Sequence, residues 1–329
     1  MNIKRLGIDL AKNSFSLCGV DNRDHIVLEV TVKRKDLLPF LRQIKPCVVG
    51  MEAGTGAHHW ARELEKLGHF PRIMAPKFVA PYRRQGKNDR NDARAVCEAV
   101  GRPDMHFVPH KNTEQQAILA VHRIRAAYVE AHTKLANQLR GLLAEFGIVI
   151  PRGVQYLRNQ WREIRQRYDE TLPPLAWQEL DSLYHQFMAA HRNVLSYDRK
   201  INAIVKADIR CRRLMQLHGV GALTASAVVV TIGDAGVFKN GRQFAAWLGL
   251  TPRQYTTGGK PKLGRISKQG DTYLRTLLVH GARTDSKSQW AQQLRERKSW
   301  NKTAVALANK HARLIWAVLT KGEAFIPVY

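Results

Sequence analysis

Four acidic residues occupy positions that binding of divalent metal ions would explain. Asp9 and Glu52 each follow apolar residues, and Asp89 and Asp92 lie three residues apart. Carboxylates in apolar segments of a strongly basic chain need a compensating charge. Phosphodiester cleavage by two metal ions needs several oxygen ligands around ions held roughly 3.5–4 Å apart. The sequence therefore predicts a site for Mg²⁺ or Mn²⁺, which such ligands do not distinguish.

The elements that carry these residues are short apolar runs alternating with amphipathic stretches, which favours a sheet flanked by helices. The predicted strands are 4–10, 14–20, 25–32, 47–51 and 72–74, and the predicted helices are 36–44 and 58–67. This is the order of an α/β RNase H-like domain. A strand Asp, a strand-end Glu and a helical Asp pair are expected to converge. Oxygens that point apart, or a pocket filled by an arginine or lysine ion pair instead of metal ions, would leave the nuclease chemistry without a site.

Each acidic residue also has an ordinary explanation when taken alone. Asp9 would cap a turn, Glu52 would begin a helix, and Asp89 would be a surface charge. His58 and His59 follow Glu52 closely, but their spacing is more typical of a helix face than of metal ligands. The occurrence of all four acids in this order favours the metal site.

The composition points to nucleic acid as the partner. Lys and Arg number 53 against 27 Asp and Glu, and the formal charge is +26. A pI of about 10.3 is typical of nucleic-acid-binding chains. Without an apolar run near ~20 residues or a signal segment, we expect a cytoplasmic protein with no membrane contact. The four scattered cysteines predict neither disulfides nor structural zinc.

Long helices replace this pattern after residue 105. Apolar residues have helical spacing over 117–142, and a second helix is predicted over 175–207. The second helix carries apolar residues seven apart, at Leu180, Phe187, Val194 and Ile201. Prolines at 151, 173 and 174 predict a helical hairpin with an irregular, basic tip. This coiled-coil segment is either a self-association surface or an intramolecular spacer.

A third region begins near residue 210 and gives three predicted domains, 1–105, 106–209 and 210–329. Its segment 217–225 matches a helix-hairpin-helix pattern, in which Gly219 and Gly221 permit a tight turn whose N–H groups face phosphate. A purely structural turn is the alternative. A Gly- and Lys-rich loop is predicted over 254–270, followed by basic helices over 272–321.

Five motifs occur in fixed order over nearly the whole chain. They are Gly7-Ile8-Asp9, Met51-Glu52-Ala53-Gly54-Thr55-Gly56, Lys87-Asn88-Asp89-Arg90-Asn91-Asp92-Ala93-Arg94, Leu217-His218-Gly219-Val220-Gly221 and Gly249-Leu250-Thr251-Pro252-Arg253-Gln254-Tyr255. Together they resemble the DEDD transposases of insertion-sequence family 110, especially subgroup 1111, and the related Piv-type DNA invertases. The resemblance implies a RuvC-like domain bearing the acids, a coiled-coil domain and a C-terminal transposase domain.

The resemblance also implies partners. They are donor and target DNA, a structured bridge RNA that pairs with both, and further copies of the chain in a dimer or tetramer. In the tetramer, the RuvC-like site of one protomer would lie beside the C-terminal domain of another. The guide and target sequences are not written in the protein, because base pairing carries sequence choice in RNA-guided systems.

In the family that this chain resembles, a serine in the loop after Gly-Leu-Thr-Pro-Arg attacks DNA and becomes covalently linked to it. The matching residue here is Thr257, with Thr256 as the second choice and Ser267 as a weaker one. A threonine hydroxyl can attack phosphorus, but its methyl group crowds the approach. Alternatively, these are polar loop residues and strand transfer is impaired. The basic residues expected to contact nucleic acid are Arg253, Lys260, Lys262, Arg265 and Lys268.

The sequence thus predicts a transposase, a metal-dependent recombinase that cleaves and rejoins DNA. Two alternatives remain open. One is a resolvase-like endonuclease in which water is the only nucleophile. The other is a basic RNA- or DNA-binding protein without catalysis.

Overall fold

The computed structural model describes residues 2–83, 86, 88–284 and 288–322. The chain divides into two compact units, Met1–Glu114 and Gln115–Tyr329. The first unit contains a β-sheet with accompanying helices, and the second is mainly helical, in agreement with the predicted change of pattern. The second unit contains most of both domains predicted after residue 105, so the three-domain division stays a prediction. No described helix is both long and apolar enough to span a membrane.

The first unit is built on a six-stranded sheet. Its strands are β1 (Arg5–Leu10), β2 (Ser14–Val20), β3 (Ile26–Lys33), β4 (Val48–Glu52), β5 (Phe70–Met74) and β6 (Phe107–Val108). Their order is β3-β2-β1-β4-β5-β6, in which β1–β4 and β4–β5 are parallel and the other pairs antiparallel. The five predicted strands are confirmed with shifts of one or two residues at their ends. The two-residue β6 is too short for its pattern to be detected.

Four α-helices accompany the sheet. They are α1 (Leu37–Leu41), α2 (Ala57–Lys66), α3 (Pro76–Val79) and α4 (Asp89–Val100). Helix α2 matches its prediction, whereas α1 is shorter than the predicted 36–44. The apolar side chains of β1, β4, α1 and α2 form one buried core, which includes Leu6, Met51, Leu41 and Leu64.

Helix α4 lies directly on the sheet because two glycines make room for it. Gly7 and Gly50 are opposite each other in the β1–β4 register. A Cβ atom on Gly7 would lie 2.3 Å from the Cys97 nitrogen and 2.4 Å from the Ala93 oxygen. A Cβ atom on Gly50 would lie 2.8 Å from Cβ of Val100. Any larger side chain at either position would push α4 away from the strands.

Three helices form the beginning of the second unit, namely α5 (Thr113–Glu145), α6 (Val154–Arg167) and α7 (Pro174–Ala207). The predicted long helices are confirmed, but the irregular tip is wrong, because most of it is α6. Leu157, Trp161 and Ile164 recur at helical spacing along α6 and are buried against residues of α5 and α7 such as Leu139 and Phe187. Pro151 lies three residues before α6, and Pro173 and Pro174 begin α7, so the prolines flank α6 and do not make the connection unstructured.

The rest of the second unit packs around a second helical core. Its helices are α8 (Ile209–Leu214), α9 (Ala222–Ile232), α10 (Gly241–Trp247), α11 (Thr272–Thr284), α12 (Gln289–Arg297) and α13 (Trp300–Lys321). Helix α9 is buried along most of its length, and Phe244, Leu278 and Ile315 pack in the same core.

A β-hairpin projects from this helical core. Strands β7 (Pro252–Thr257) and β8 (Lys260–Ile266) pair antiparallel, and Gly258 and Gly259 connect them. Both glycines have positive φ, 57° and 76°, as a tight two-residue hairpin turn requires. The predicted loop over 254–270 is therefore wrong for most of its length. Its polar, glycine-containing sequence hid the strands because neither face of the hairpin is buried.

Candidate active site

Asp9 and Glu52 lie beside each other on neighbouring parallel strands. The register of β1 and β4 pairs Ile8 with Met51, so the following residues, Asp9 and Glu52, are adjacent near the carboxyl ends of these strands. Side chains alternate between the two faces of a strand. Asp9 and Glu52 therefore point to the face that carries Gly7 and Gly50, which is the face covered by α4.

The helical pair is brought to the same place by the packing of α4. Cys97 and Ala93 contact β1 at Gly7, and the helix continues from there towards its N-terminus, where Asp89 and Asp92 lie in the first turn. The side chain of Asn88 caps the helix by accepting a hydrogen bond of 2.8 Å from the Asn91 nitrogen. Acidic residues in a first turn are stabilised by the positive end of the helix dipole. Asp92 is 8% exposed, whereas Asp89 is exposed.

The other three acidic residues affect the pKa of Asp9. It is raised from 3.8 to about 6, first by burial and then by the charges of Asp92, Asp89 and Glu52, while Arg83 lowers it. Like charges raise the pKa of a carboxyl group strongly only at short range. Asp9 and Glu52 are adjacent in the strand register, and Arg83 contacts both Glu52 and Asp92, with Asp89 in the same first turn of α4. Such a cluster requires positive charge to remain ionised at neutral pH.

Arg83 supplies part of that charge. Its NH2 group lies 3.7 Å from Glu52 Oε1, and its Nε contacts Asp92 Oδ1. Asp92 Oδ1 and Arg83 Nε are buried, and their contact is an ion pair without hydrogen-bond alignment. One of the two features expected to argue against a metal site, an arginine ion pair in the pocket, is thus present.

The side chains as they lie do not form a ready metal site. Among the described residues, no three His, Cys, Asp or Glu side chains are grouped so that they could hold a metal ion. Arg83 could not be singled out from the sequence, because it belongs to a basic stretch in which several cationic residues precede Asp89. A cation in the pocket could have been anticipated only from the contact geometry.

Two other arginines of the same motif have a structural partner. Arg90 and Arg94, both on α4, pair with the carboxylate of Glu29 on β3. These hydrogen bonds, Arg94 first and Arg90 second, lower the pKa of Glu29 from 4.5 to about 2. They tie α4 to the antiparallel side of the sheet. Lys87, in the same motif, lies outside the described residues.

The two histidines after Glu52 lie on α2 and contact other groups. His58 Nδ1 accepts a hydrogen bond of 3.2 Å from the Lys111 nitrogen, and its Nε2 lies 3.5 Å from Lys111 Nζ. The ring of His59 lies 5.0 Å from that of Trp60. These contacts fit the expected helix-face role.

The candidate nucleophiles lie in the second unit, on the hairpin. Thr257 is the last residue of β7 and pairs with Lys260, and Thr256 pairs with Pro261. Both threonines are exposed, and Thr256 Oγ1 accepts a hydrogen bond of 3.0 Å from Gln254 Nε2. Directly opposed residues share a face. Thr257 and Lys260 therefore share one face of the hairpin tip, and Thr256 lies on the other.

Residues at the base of the hairpin are held more firmly. The Ser267 nitrogen donates to the Thr251 oxygen at 2.8 Å, and Arg253 NH2 donates to the Ser267 oxygen at 3.3 Å. Lys268 has a positive φ of 54°, and its nitrogen donates to the Gly249 oxygen at 3.1 Å. Ser267 is thus held by backbone hydrogen bonds at the base of the hairpin, far from its turn. The predicted nucleic-acid contacts Lys260, Lys262 and Arg265 are exposed along β8.

The two glycines of the proposed helix-hairpin-helix turn have different surroundings. A Cβ atom on Gly219 would lie 2.6 Å from the Gly281 oxygen and 2.9 Å from the His311 ring, so this glycine is needed for close packing against α11 and α13. Gly221 precedes α9, is exposed, and would have no atom within 4 Å of a Cβ. Only Gly221 therefore presents open backbone to a ligand.

Comparison with known proteins places both units within one group. A family model described as "Transposase IS116/IS110/IS902 family" matches residues 211–298, and the DEDD model described as "Transposase" matches residues 6–148. A "Probable family 20 transposase" of Pseudomonas aeruginosa is 46% identical over 99% of this chain and 100% of its own length. The "Transposase for insertion sequence element IS1111A" of Coxiella burnetii is 39% identical, covering 98% and 92%. The "Transposase for insertion sequence element IS1328" of Yersinia enterocolitica is 38% identical, covering 98% and 99%.

Proposed function

Because this chain belongs to the IS116/IS110/IS902 family of insertion-sequence transposases, we propose that it is a metal-dependent DNA recombinase whose four clustered acids form the catalytic site. The observation that carries the proposal is geometric: Asp9 and Glu52 are adjacent on β1 and β4, and Arg83 contacts both Glu52 and Asp92. Three separate elements of the first unit deliver these side chains to one face of the sheet. A surface role would not require that convergence.

The sheet supports an RNase H-like, or RuvC-like, assignment for the first unit. Three antiparallel strands occupy one side, and the parallel strands β4 and β5 follow on the other. The first acid lies on the central strand, the second on its parallel neighbour, and the last two on a helix that covers both. This placement supports the nuclease class that the sequence predicts.

The donor set suits a hard divalent cation. Asp9, Glu52, Asp89 and Asp92 offer only carboxylate oxygens, which Mg²⁺ and Mn²⁺ accept as ligands. Asp92 Oδ1 is buried and makes no hydrogen bond, and it contacts the cationic group of Arg83. When bound, such ions would activate the attacking oxygen and stabilise the leaving oxygen of a phosphodiester. The carboxylates themselves position the cleavage site at the carboxyl edge of β1 and β4.

The hairpin would supply the nucleophile, with Thr257 as the first candidate. Its Oγ1 would form a bond to phosphorus while a bond from phosphorus to a DNA sugar oxygen breaks and that oxygen takes up a proton. Lys260, opposite Thr257 in the hairpin register, is placed to stabilise charge on the phosphoryl oxygens. Rejoining reverses the exchange and releases the threonine.

The proposed function also includes binding of a guide RNA and self-assembly of the chain. The charge of +26 and the exposed Lys262 and Arg265 support binding to a polyanion without sequence readout. The likeness to insertion-sequence transposases supports donor and target DNA as substrates, and the family resemblance supports a bridge RNA and a dimer or tetramer. Sequencing of RNA that copurifies with the protein tests the RNA. We expect a discrete RNA encoded beside the gene, and random cellular RNA would count against guidance.

The acid cluster is tested by Asp9→Asn and Glu52→Gln. We expect each to lower recombination at least ~10²-fold, as removal of one group that stabilises a transition state does, while DNA affinity is nearly unchanged because the basic surfaces remain. Glu98→Gln is the matched control, since Glu98 is an acid of α4 that pairs with Arg102. Equal loss of binding and recombination, or full activity in both variants, would contradict the assignment. The second result would favour a binding protein without catalysis.

The nucleophile is tested by trapping the cleaved strand. We expect a phosphothreonyl-DNA adduct in the wild type that disappears in Thr257→Val and persists in Thr256→Val. The exposure of both threonines makes water a realistic competitor, which favours a hydrolytic endonuclease as the second candidate function. A free 5′-phosphate with no adduct would support hydrolysis and remove Thr257 from the mechanism.

A further inference from the structure

Arg83 occupies the space that a metal ion would need. Its guanidinium contacts Asp92 through Nε and lies 3.7 Å from Glu52 Oε1 through NH2. An ion that bound these two oxygens at the about 2.0–2.1 Å typical of Mg²⁺ would lie between them. The guanidinium already lies there, so the arginine and the ion cannot both hold these oxygens.

We propose that Arg83 is an internal counter-ion that holds Glu52 and Asp92 together in the metal-free protein and is displaced when a divalent cation binds. This inference rests on the proposed metal-dependent function. It assigns Arg83 a positioning role, because the arginine acts on the carboxylates and not on DNA.

Arg83 would have to move out of the pocket before a metal ion could bind there. Arg83 carries the same sign of charge as a metal ion, so the two would repel each other at these carboxylates. Its side chain is 31% exposed, which leaves a path towards solvent. Asp92 Oδ1 is already buried and in contact with the cation it would exchange. The exchange therefore replaces one positive group by another without exposing the acids to one another.

Arg83 contributes differently to the stability of the metal-free and the metal-bound protein. In the metal-free protein, Arg83 offsets repulsion among four carboxylates and stabilises the pocket. In the metal-bound protein its contribution is lost, so part of the binding free energy of the ion is spent on moving the arginine. Removal of the guanidinium should therefore weaken the metal-free fold and strengthen metal binding, which are opposite effects of one substitution.

The test compares Mn²⁺ binding by full-length wild type, Arg83→Gln and a control. Free Mn²⁺ is counted by electron paramagnetic resonance, and thermal unfolding is followed with and without the ion. We expect Arg83→Gln to bind Mn²⁺ at least about fivefold more tightly, the lower end for energetic coupling between two ligands, and to unfold at a lower temperature without metal. Arg42→Gln removes an equal charge from an exposed position after α1 and should match the wild type.

A measurement on the wild type does not depend on how well the glutamine variant folds. The Nε–Hε resonance of Arg83, assigned by its absence in Arg83→Lys, should shift when Mg²⁺ saturates the protein. If wild type binds the ion but this resonance stays in place, or if Arg83→Gln binds Mn²⁺ no more tightly, the displacement is wrong and the metal site stands. If neither wild type nor Arg83→Gln binds Mn²⁺, the proposed metal-dependent function fails, and the displacement fails with it.

Discussion

The acid cluster and the threonine hairpin are held in place in opposite ways. Asp9 and Glu52 project from central strands, and a helix packed on two glycines covers them. Thr256 and Thr257 lie on a two-stranded hairpin whose residues are exposed except for Ile266, at its end. The first arrangement is fixed by the core of its unit. The second depends on one ladder of hydrogen bonds and one turn.

This difference indicates which part of the proposed site is arranged before substrate binds. Convergence of the acids follows from folding, since displacing any one of them would require β1, β4 or α4 to move. An isolated two-stranded hairpin is marginally stable in water. In the proposed mechanism, we expect contact with nucleic acid to help fix the position of these hydroxyl groups. The following substitutions measure that contrast.

The largest effect is expected from Gly7→Ala. The new methyl group would lie within 2.7 Å of three backbone atoms of α4, and backbone atoms cannot rotate away as a side chain can. We expect a loss of about 3 kcal/mol in the free energy of unfolding, the upper end for overpacking, measured by urea denaturation. Recombination should fall as well, because the helix carries Asp89 and Asp92.

Gly141→Ala is the matched control for this substitution. Gly141 lies in α5, and no atom lies within 4 Å of the position of its Cβ. Alanine there should stabilise the helix by up to ~1 kcal/mol. Similar small effects at Gly7 and Gly141 would show that α4 is not held by close approach to β1.

The sequence predicts the acid cluster better than the hairpin for a physical reason. Buried strands carry apolar runs, so the positions of Asp9 and Glu52 at the ends of two such runs can be read directly. The contact of Gly7 with Cys97 and the ion pairs of Arg83 join residues far apart in sequence and have no local pattern. The exposed β7 and β8 lack the apolar alternation by which strands are detected. Helix α6 does have its 3.6-residue pattern, which the flanking prolines obscured.

An intermediate effect is expected from Glu29→Gln, which loosens α4 without a steric clash. The pKa of Glu29 is lowered from 4.5 to about 2, so its ion pairs stabilise the fold fully above pH 4.5 and lose that effect as pH falls towards 2. Because Arg90 is 67% exposed and Arg94 42% exposed, solvent screening limits the contribution to about 1 kcal/mol at pH 7. Urea denaturation of both proteins between pH 7 and pH 3 measures it.

The effect of Glu29→Gln on stability should depend on pH. The stability difference between wild type and Glu29→Gln should shrink below pH 4.5. Glu98→Gln, which breaks the exposed pair between α4 and Arg102 just after it, should change stability by less than about 0.5 kcal/mol. A difference that stays constant down to pH 3 would mean that packing, and not charge, joins Glu29 to α4.

The smallest effect on stability is expected from alanine at both Gly258 and Gly259. Their positive φ values cost an L-residue about 1–2 kcal/mol each, which is enough to open the hairpin turn. Since the hairpin buries almost nothing, the free energy of unfolding should change by less than about 0.5 kcal/mol while recombination falls sharply. Gly264→Ala, whose Cβ would meet its nearest atom at an ordinary 3.5 Å, should leave both unchanged. A loss of stability as large as that of Gly7→Ala would mean that the hairpin is packed as firmly as the acid cluster, and the contrast between the two sites would disappear.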